Sequence, residues 1–390
     1  MRQVRAALGR WEQQVEREQW PAAEASAQRA EAAAARRWGA DMPITLQCRA
    51  AVAVAQVRLG RRAEAEEVLR RSIRAAAGGV SGAAMAQART VLAEVVRLGG
   101  GHAEAVETAR SALATEPEAT VFGPFSARRT LGLALGDLGR HDEAAACLAA
   151  HAARVPGSGE GAAEHLWART NRLTHLAYLG RHQEVAEEAA AIGAHTDGVS
   201  GSVLANRELT VLSVRNSLAF SLTAQGRFQE AEAVLRPAVD EALGLGYEPF
   251  ARTLQLGIAR CLVGQGRAGE AWEALAALDG MAERTPVSAK EAGAVALGRA
   301  SALLALDRLA DAEQEARRAV ELSEGHLGPS HHRRLEAATV LGTALSRRGR
   351  AAAAVELLTA GHDAWLAHFG EDHHGTRAAR AALAGAGASA

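Results

Sequence analysis

Three cysteines, two tyrosines and a single lysine, Lys290, are all that this 390-residue chain holds of those residue types. Cys48, Cys147 and Cys261 are odd in number, far apart and set inside apolar patterns, and no C-x-x-C pair occurs. Neither a disulfide framework nor a thiolate zinc site is expected, and small core thiols in a reducing compartment fit better. Aromatics are only 4% of residues and runs of Val, Ile, Thr and Tyr are missing, which removes the usual material of β-strands. Nothing approaches the roughly 18 uninterrupted apolar residues of a spanning helix. The opening "MRQVRAALGRWEQQ" carries charge throughout and has no apolar core of a signal peptide. A soluble, cytoplasmic protein is expected. With a formal net charge of −1 there is no bulk field for nucleic acid or an acidic membrane, and neither is an expected partner.

Catalytic signatures are also missing. There is no Walker-type glycine loop, no HExxH and no G-x-S-x-G. "PGSGEGA", from Pro156 to Ala162, is glycine-rich but lacks the lysine a phosphate loop needs. His141, His165, His175 and His182 are scattered, with no serine or cysteine partner suggested by spacing. No cofactor, catalytic residue or metal is expected.

What the chain has in quantity is Ala, Leu, Arg and Glu, all strong helix formers. It is also self-similar. "LGRRAEAEEVL" from Leu59 returns as "LGRHDEAAACL", "LGRHQEVAEEA", "QGRFQEAEAVL" and "QGRAGEAWEAL", with weaker copies from Gly99, Leu306 and Arg348. The turn residues Gly60, Gly100, Gly139, Gly180, Gly226, Gly266, Asp307 and Gly349 are spaced by 40, 39, 41, 46, 40, 41 and 42. A degenerate copy, "WPAAEA" from Trp20, makes nine units. Five residues after each turn stands a small residue (Ala25, Ala65, Ala105, Ala144, Ala231, Ala271, Ala312, Ala354), with Val185 the exception. Seven before it stands another, from Ala53 to Gly342, with Leu173 the exception. Two small columns let paired helices approach closely, and such a pair can bury its apolar face only by stacking on its neighbours.

In "LGLALGDLGRHDEAAACL" and "NSLAFSLTAQGRFQEAEAVL" this pattern resembles the tetratricopeptide repeat family, whose terminal proline is matched by Pro117 and Pro156. The spacing near 40 is similar to the longer-helix variety of kinesin light chains and bacterial regulators. The linker of that variety, LGPxHPxT, is matched by Leu327, Gly328, Pro329 and His331 in "HLGPSHH", although His332 stands where the pattern has proline. The resemblance implies an all-α fold: a right-handed α-solenoid over residues 1–385, with a degenerate first unit at 1–40, a capping helix at about 376–383 and a flexible tail at 386–390. It also implies a protein-protein interaction role, with peptide binding on the concave face lined by the first helix of each pair, as in a regulator or adaptor.

The concave slots fall thirteen, ten, six and three residues before each turn. In the middle of the array they hold Gln87, Glu94, Arg97, Arg129, Trp167, Thr170, Asn216, Phe220 and Arg260. Asn216 matches the asparagine with which related arrays hold a peptide backbone, and Asn171 is one slot off. The expected ligand-binding residues are Arg129, Trp167, Asn171, Asn216, Phe220 and Arg260, suited to a peptide or protein segment with acidic character. A homo-oligomeric scaffold and an enzyme with an unrecognised site in the groove remain alternatives. Arg49, Arg89, Arg128, Arg169 and Arg215 all stand eleven residues before their turns. They form either an anion ladder or, the favoured reading, packing residues paired with a glutamate of the second helix.

"HFGEDHH" from His368 repeats "HLGPSHH" from His326 after 42 residues. Paired histidines could be metal ligands or punctuation between units. A repeat linker accounts for the spacing without an ion, and adjacent units stack ~10 Å apart, too far to share one easily. Punctuation is the expectation.

Overall fold

The computed structural model describes residues 2–76, 82–117, 121–122, 124–158, 161–198, 207–282, 285 and 287–388. Among these, nineteen helices occur, eighteen of them in nine consecutive pairs. The pairs are α1 (Arg2–Glu16) with α2 (Trp20–Trp38), α3 (Pro43–Arg58) with α4 (Arg62–Ala76), and α5 (Gly82–Leu98) with α6 (His102–Thr115). Then come α7 (Ala127–Asp137) with α8 (His141–Ala152), α9 (Ala162–Tyr178) with α10 (His182–Gly198), and α11 (Arg207–Ala224) with α12 (Phe228–Gly244). The last are α13 (Glu248–Gly264) with α14 (Ala268–Ala282), α15 (Ala289–Ala305) with α16 (Leu309–Glu324), and α17 (His332–Arg347) with α18 (Ala351–Phe369). A final helix, α19 (His374–Gly387), runs past the expected end at Leu383 into the glycine-alanine tail. Ser389 and Ala390 lie outside the described residues, as do Gly159 and Glu160 of the glycine-rich stretch. No helix among the described residues is long and apolar enough to cross a membrane.

The turns are made by the residues that the repeat marks. Gly60, Gly100, Gly139, Gly180, Gly226, Gly266, Asp307 and Gly349 all take φ between 61° and 86°, a region open to glycine at no steric cost. The amide that follows bonds back across the turn, as from Arg227 N to Leu222 O at 2.9 Å, closing a Schellman cap. The small columns are buried: Ala65, Ala105, Ala144, Ala231, Ala271, Ala312 and Ala354 are all 0% exposed. The first pair departs from the expected register. Its left-handed residue is Glu18, at φ 55°, so the slot five residues on belongs to buried Ala23 and not to half-buried Ala25.

One stretch departs from an all-helical reading. β1 (Val121–Phe122) pairs antiparallel with β2 (Phe125–Ser126), Val121 opposite Ser126. Val and Phe favour extended backbone and Pro124 cannot continue a helix. Phe122 is buried and stacks on Trp11 at 5.2 Å.

The chain divides into two compact units, residues 1–135 and 136–390. The core of the first includes Val4, Ala7, Ala30, Ala34 and Cys48. In the second, Leu212, Leu235, Leu254, Ile258 and Leu275 form a continuous seam from α11 to α14. Of the cysteines, Cys48 and Cys261 are buried and Cys147 is partly exposed.

The second unit also closes on itself. The linker before α17 lies on the α7–α8 turn: Gly328 N donates to Asp137 O at 2.9 Å and Ser330 Oγ to Leu138 O at 3.1 Å. The linker before α19 does the same one unit on, with His373 Nε2 3.0 Å from Tyr178 O. Both linkers cap their helices alike, His331 Nδ1 accepting from Arg333 N and His373 Nδ1 from Gly375 N. The histidine pairs therefore punctuate the repeat, and they also bridge chain segments about 190 residues apart.

Candidate functional site

The first helices of the pairs in the second unit line a cavity of about 480 Å³. Asn216 and Phe220 on α11, Arg260 on α13, and Arg333 and Glu336 on α17 face it, with Tyr178 at the end of α9. A second cavity of about 540 Å³ adjoins it, sharing Thr253, Leu256, Ala294 and Arg333 as a common wall and reaching Tyr247, Phe250 and Lys290. Together they make a long recess with apolar walls and a few polar groups, the usual character of a binding site.

Three of the six expected ligand-binding residues meet here. Asn216 is half-buried, and its carboxamide makes no hydrogen bond to the described residues. Such a group can donate and accept at once. Phe220 lies under the Arg260 guanidinium, 5.2 Å from ring centroid to Cζ, and meets Tyr178 edge-on at 5.0 Å. The nearest acid to Arg260 is Glu336, at 3.7 Å, a loose contact that a ligand carboxylate could replace by a shorter, charge-assisted one.

The other three do not line this recess. Arg129 belongs to the first unit. Trp167 and Asn171 lie on α9, where Asn171 Nδ2 is bonded to Trp167 O at 2.8 Å and spends its amide on its own helix. Thr170, beside them, is 5% exposed. In the first unit, Gln87 is hydrogen-bonded to Gln47, and Arg97 forms two bonds to Glu94. The slot rule did hold the missing signal. Applied to the later turns it yields Thr253, Leu256, Ala294, Ser301 and Glu336, all walls of the cavity.

The arginine column packs. Arg169 meets Glu188 of α10 at 2.8 Å, Arg215 meets Glu241 of α12 at 2.5 Å, and Arg49 meets Glu31 of α2 at 2.9 Å. Arg89 reaches Thr115 and Arg128 the carbonyl of Pro117. Carboxylates and other acceptors of the chain itself occupy these guanidinium groups.

No curated protein matches the sequence. Among solved structures, a tetratricopeptide repeat protein from Parabacteroides merdae is 16% identical over 71% of this chain and 93% of its own, with a TM-score of 0.52. A Rap protein complexed with Competence and Sporulation Factor is 11% identical, over 100% and 98%, at 0.49. The Cut9–Hcn1 hetero-tetramer of APC/C is 13% identical, over 97% and 71%, at 0.48. At 16% identity the first likeness is one of fold. Residues 211–241 match the tetratricopeptide repeat family model. That match falls on α11 and α12, the sixth of nine consecutive helix pairs, and the chain has the all-α solenoid fold of tetratricopeptide repeats.

Proposed function

We propose that this protein is a non-catalytic adaptor or regulator that holds an extended peptide, or an extended segment of a partner protein, in the recess of its second unit. One observation carries the reading: a half-buried carboxamide without an internal partner, Asn216, faces the same cavity as Phe220 and Arg260. Asn216 would bond the peptide backbone. Phe220 and Tyr178 would cover an apolar side chain, and Arg260 with Arg333 would take a carboxylate. Adjoining cavities suit an extended segment, which rises about 3.3 Å per residue. The repeat fold is an interaction scaffold, and a cytoplasmic location is part of this proposal.

Selection from a randomised peptide library tests the reading. Enriched peptides are expected to combine acidic and apolar positions. Arg260→Ala should weaken them roughly tenfold or more, the cost of one hydrogen bond to a charged group, and adding Asn216→Ala should abolish binding with the melting temperature unchanged. Peptides bound equally well by the double variant would remove the groove from the account.

A further inference from the structure

Where the two linkers dock, six histidines gather: His141, His175, His331, His332, His373 and His374. Three form a tighter group. One ring nitrogen from each of His141, His331 and His332 lies within 4.8 Å of the other two, and the residues are 2%, 3% and 3% exposed. His141 Nε2 and His332 Nδ1 are 3.1 Å apart. Nitrogens that share a tetrahedral zinc with Zn–N of ~2.0–2.1 Å lie roughly 3.3 Å from one another, so this pair already has the spacing of one edge.

We propose that His141, His331 and His332 bind a divalent transition metal ion of the zinc class, tying the N-terminus of α8 to that of α17. The proposal is independent of the groove reading. Neighbouring units alone could not assemble this set. It forms because the second unit curls back, bringing His141 against a linker 191 residues further along.

Imidazole must be neutral to ligate. Burial, then the neighbouring histidines, then nearby Arg and Lys side chains hold His141 down to about 2, and His331 and His332 well below the usual histidine range. Loading fixes the tautomers. With Nε2 on the metal, His141 keeps its proton on Nδ1 and donates it to His175 Nδ1, 3.2 Å away, an outer hydrogen bond of the kind that orients ligating histidines. His175 is thus a positioning residue, seated over Gly136, where a Cβ would overlap its ring. Through Nδ1, His332 would carry its proton on Nε2, a buried atom with no hydrogen-bond partner. His331 caps α17 through Nδ1 at 3.2 Å, so ligation by its Nε2 gives up that cap. Lys290, Arg333 and the two helix N-termini oppose a cation. Asp137, 2.5 Å from Lys290, is the carboxylate at hand. With three protein ligands the fourth position falls to water or an anion, and affinity should lie below that of a closed structural zinc site.

The test is Co²⁺ titration of protein freed of any affinity tag and stripped with EDTA, read by visible absorption. One Co²⁺ per chain is expected, displaced by Zn²⁺, with Zn²⁺ raising the melting temperature. X-ray absorption of the zinc-loaded wild type should count three imidazoles. His141→Gln and His332→Gln should abolish the bands and His175→Phe should weaken binding roughly tenfold, whereas His326→Gln and His368→Gln should leave it intact. Folded wild-type protein that takes up no stoichiometric Co²⁺, or zinc with fewer than three imidazoles, overturns the proposal even where a variant fails to fold. So does binding unchanged in both ligand variants.

Discussion

Gly328→Ala should unseat the linker before α17. A Cβ at Gly328 would stand 2.7 Å from Leu138 Cα and 2.8 Å from Leu138 C. These are backbone atoms and cannot swing aside as a side chain could. Overpacking of this kind costs about 1–3 kcal/mol. The Gly328 N to Asp137 O bond and the Ser330 Oγ to Leu138 O bond would go with it, at about 1 kcal/mol each. The sum is about 3–5 kcal/mol, which for a unit of this size lowers the melting temperature by roughly 6–20 °C. Gly349→Ala is the control. Gly349 sits at φ 75° with no atom within 4 Å of the position its Cβ would take, so the variant bears only the left-handed backbone cost of about 1 kcal/mol. Circular dichroism melts give the ranking, and hydrogen exchange gives the place: the Gly328 amide should lose protection in Gly328→Ala and keep it in Gly349→Ala. Equal melting of the two variants, with the Gly328 amide protected in both, would refute the seating of the linker.

His374 sets an acid limit. Burial, followed by His373, Arg260, His182 and Arg377, pushes it down to about 3, so the unfolded chain binds its proton first and stability falls as pH drops below about 6.5. Between pH 8 and 5 the share of His374 should be about 2 kcal/mol, read in urea melts as the part of the acid loss that His374→Phe removes. His141, His175, His331 and His332, also held below the usual range, keep losses of their own in both proteins. Arg252 is 1% exposed and paired with Glu291 at 2.5 Å; Arg252→Met should cost about 3 kcal/mol by stranding a charge, with part regained in Arg252→Met plus Glu291→Gln. Leu358 is 1% exposed and fills the space over Gly342, where a Cβ would lie 2.5 Å from it. Leu358→Ala should cost about 3 kcal/mol, with exchange rising in α17 and α18 and not in α11 and α12.

The repeat was legible because its devices are local. A left-handed turn residue, an alanine five residues on and a second small residue seven before it lie within one short stretch, and at Gly226, Ala231 and Ala219 they fall where the pattern puts them. The first pair misled because Glu18 took the left-handed position without glycine to mark it. Asn216, Phe220 and Arg260 line one cavity because their slots repeat with the turns, whereas Trp167 and Asn171 lie on a pair whose small column is broken by Leu173. The docking of the linkers was hidden from any comparison of adjacent units. It depends on small rotations added over several pairs, and only the finished curl brings Gly328 to Leu138.

That curl joins the two candidate sites physically. His332 begins α17, and Arg333, the next residue, is a wall of both cavities. The His332 ring lies 4.0 Å from the Tyr178 ring and 5.9 Å from that of Phe220, centroid to centroid, and Phe220 in turn lies under Arg260. The aromatic floor of the recess is thus packed directly on the histidines that seat the linker. Rigid contacts of this kind give coupling a material route. Gly328 and His141 touch the start of α17 or its linker, so a change at either should reach Arg333 and Glu336 without touching Asn216 or Arg260. The shape of the recess and the closure of the second unit are for that reason two aspects of one packing problem, solved at the N-terminus of α17.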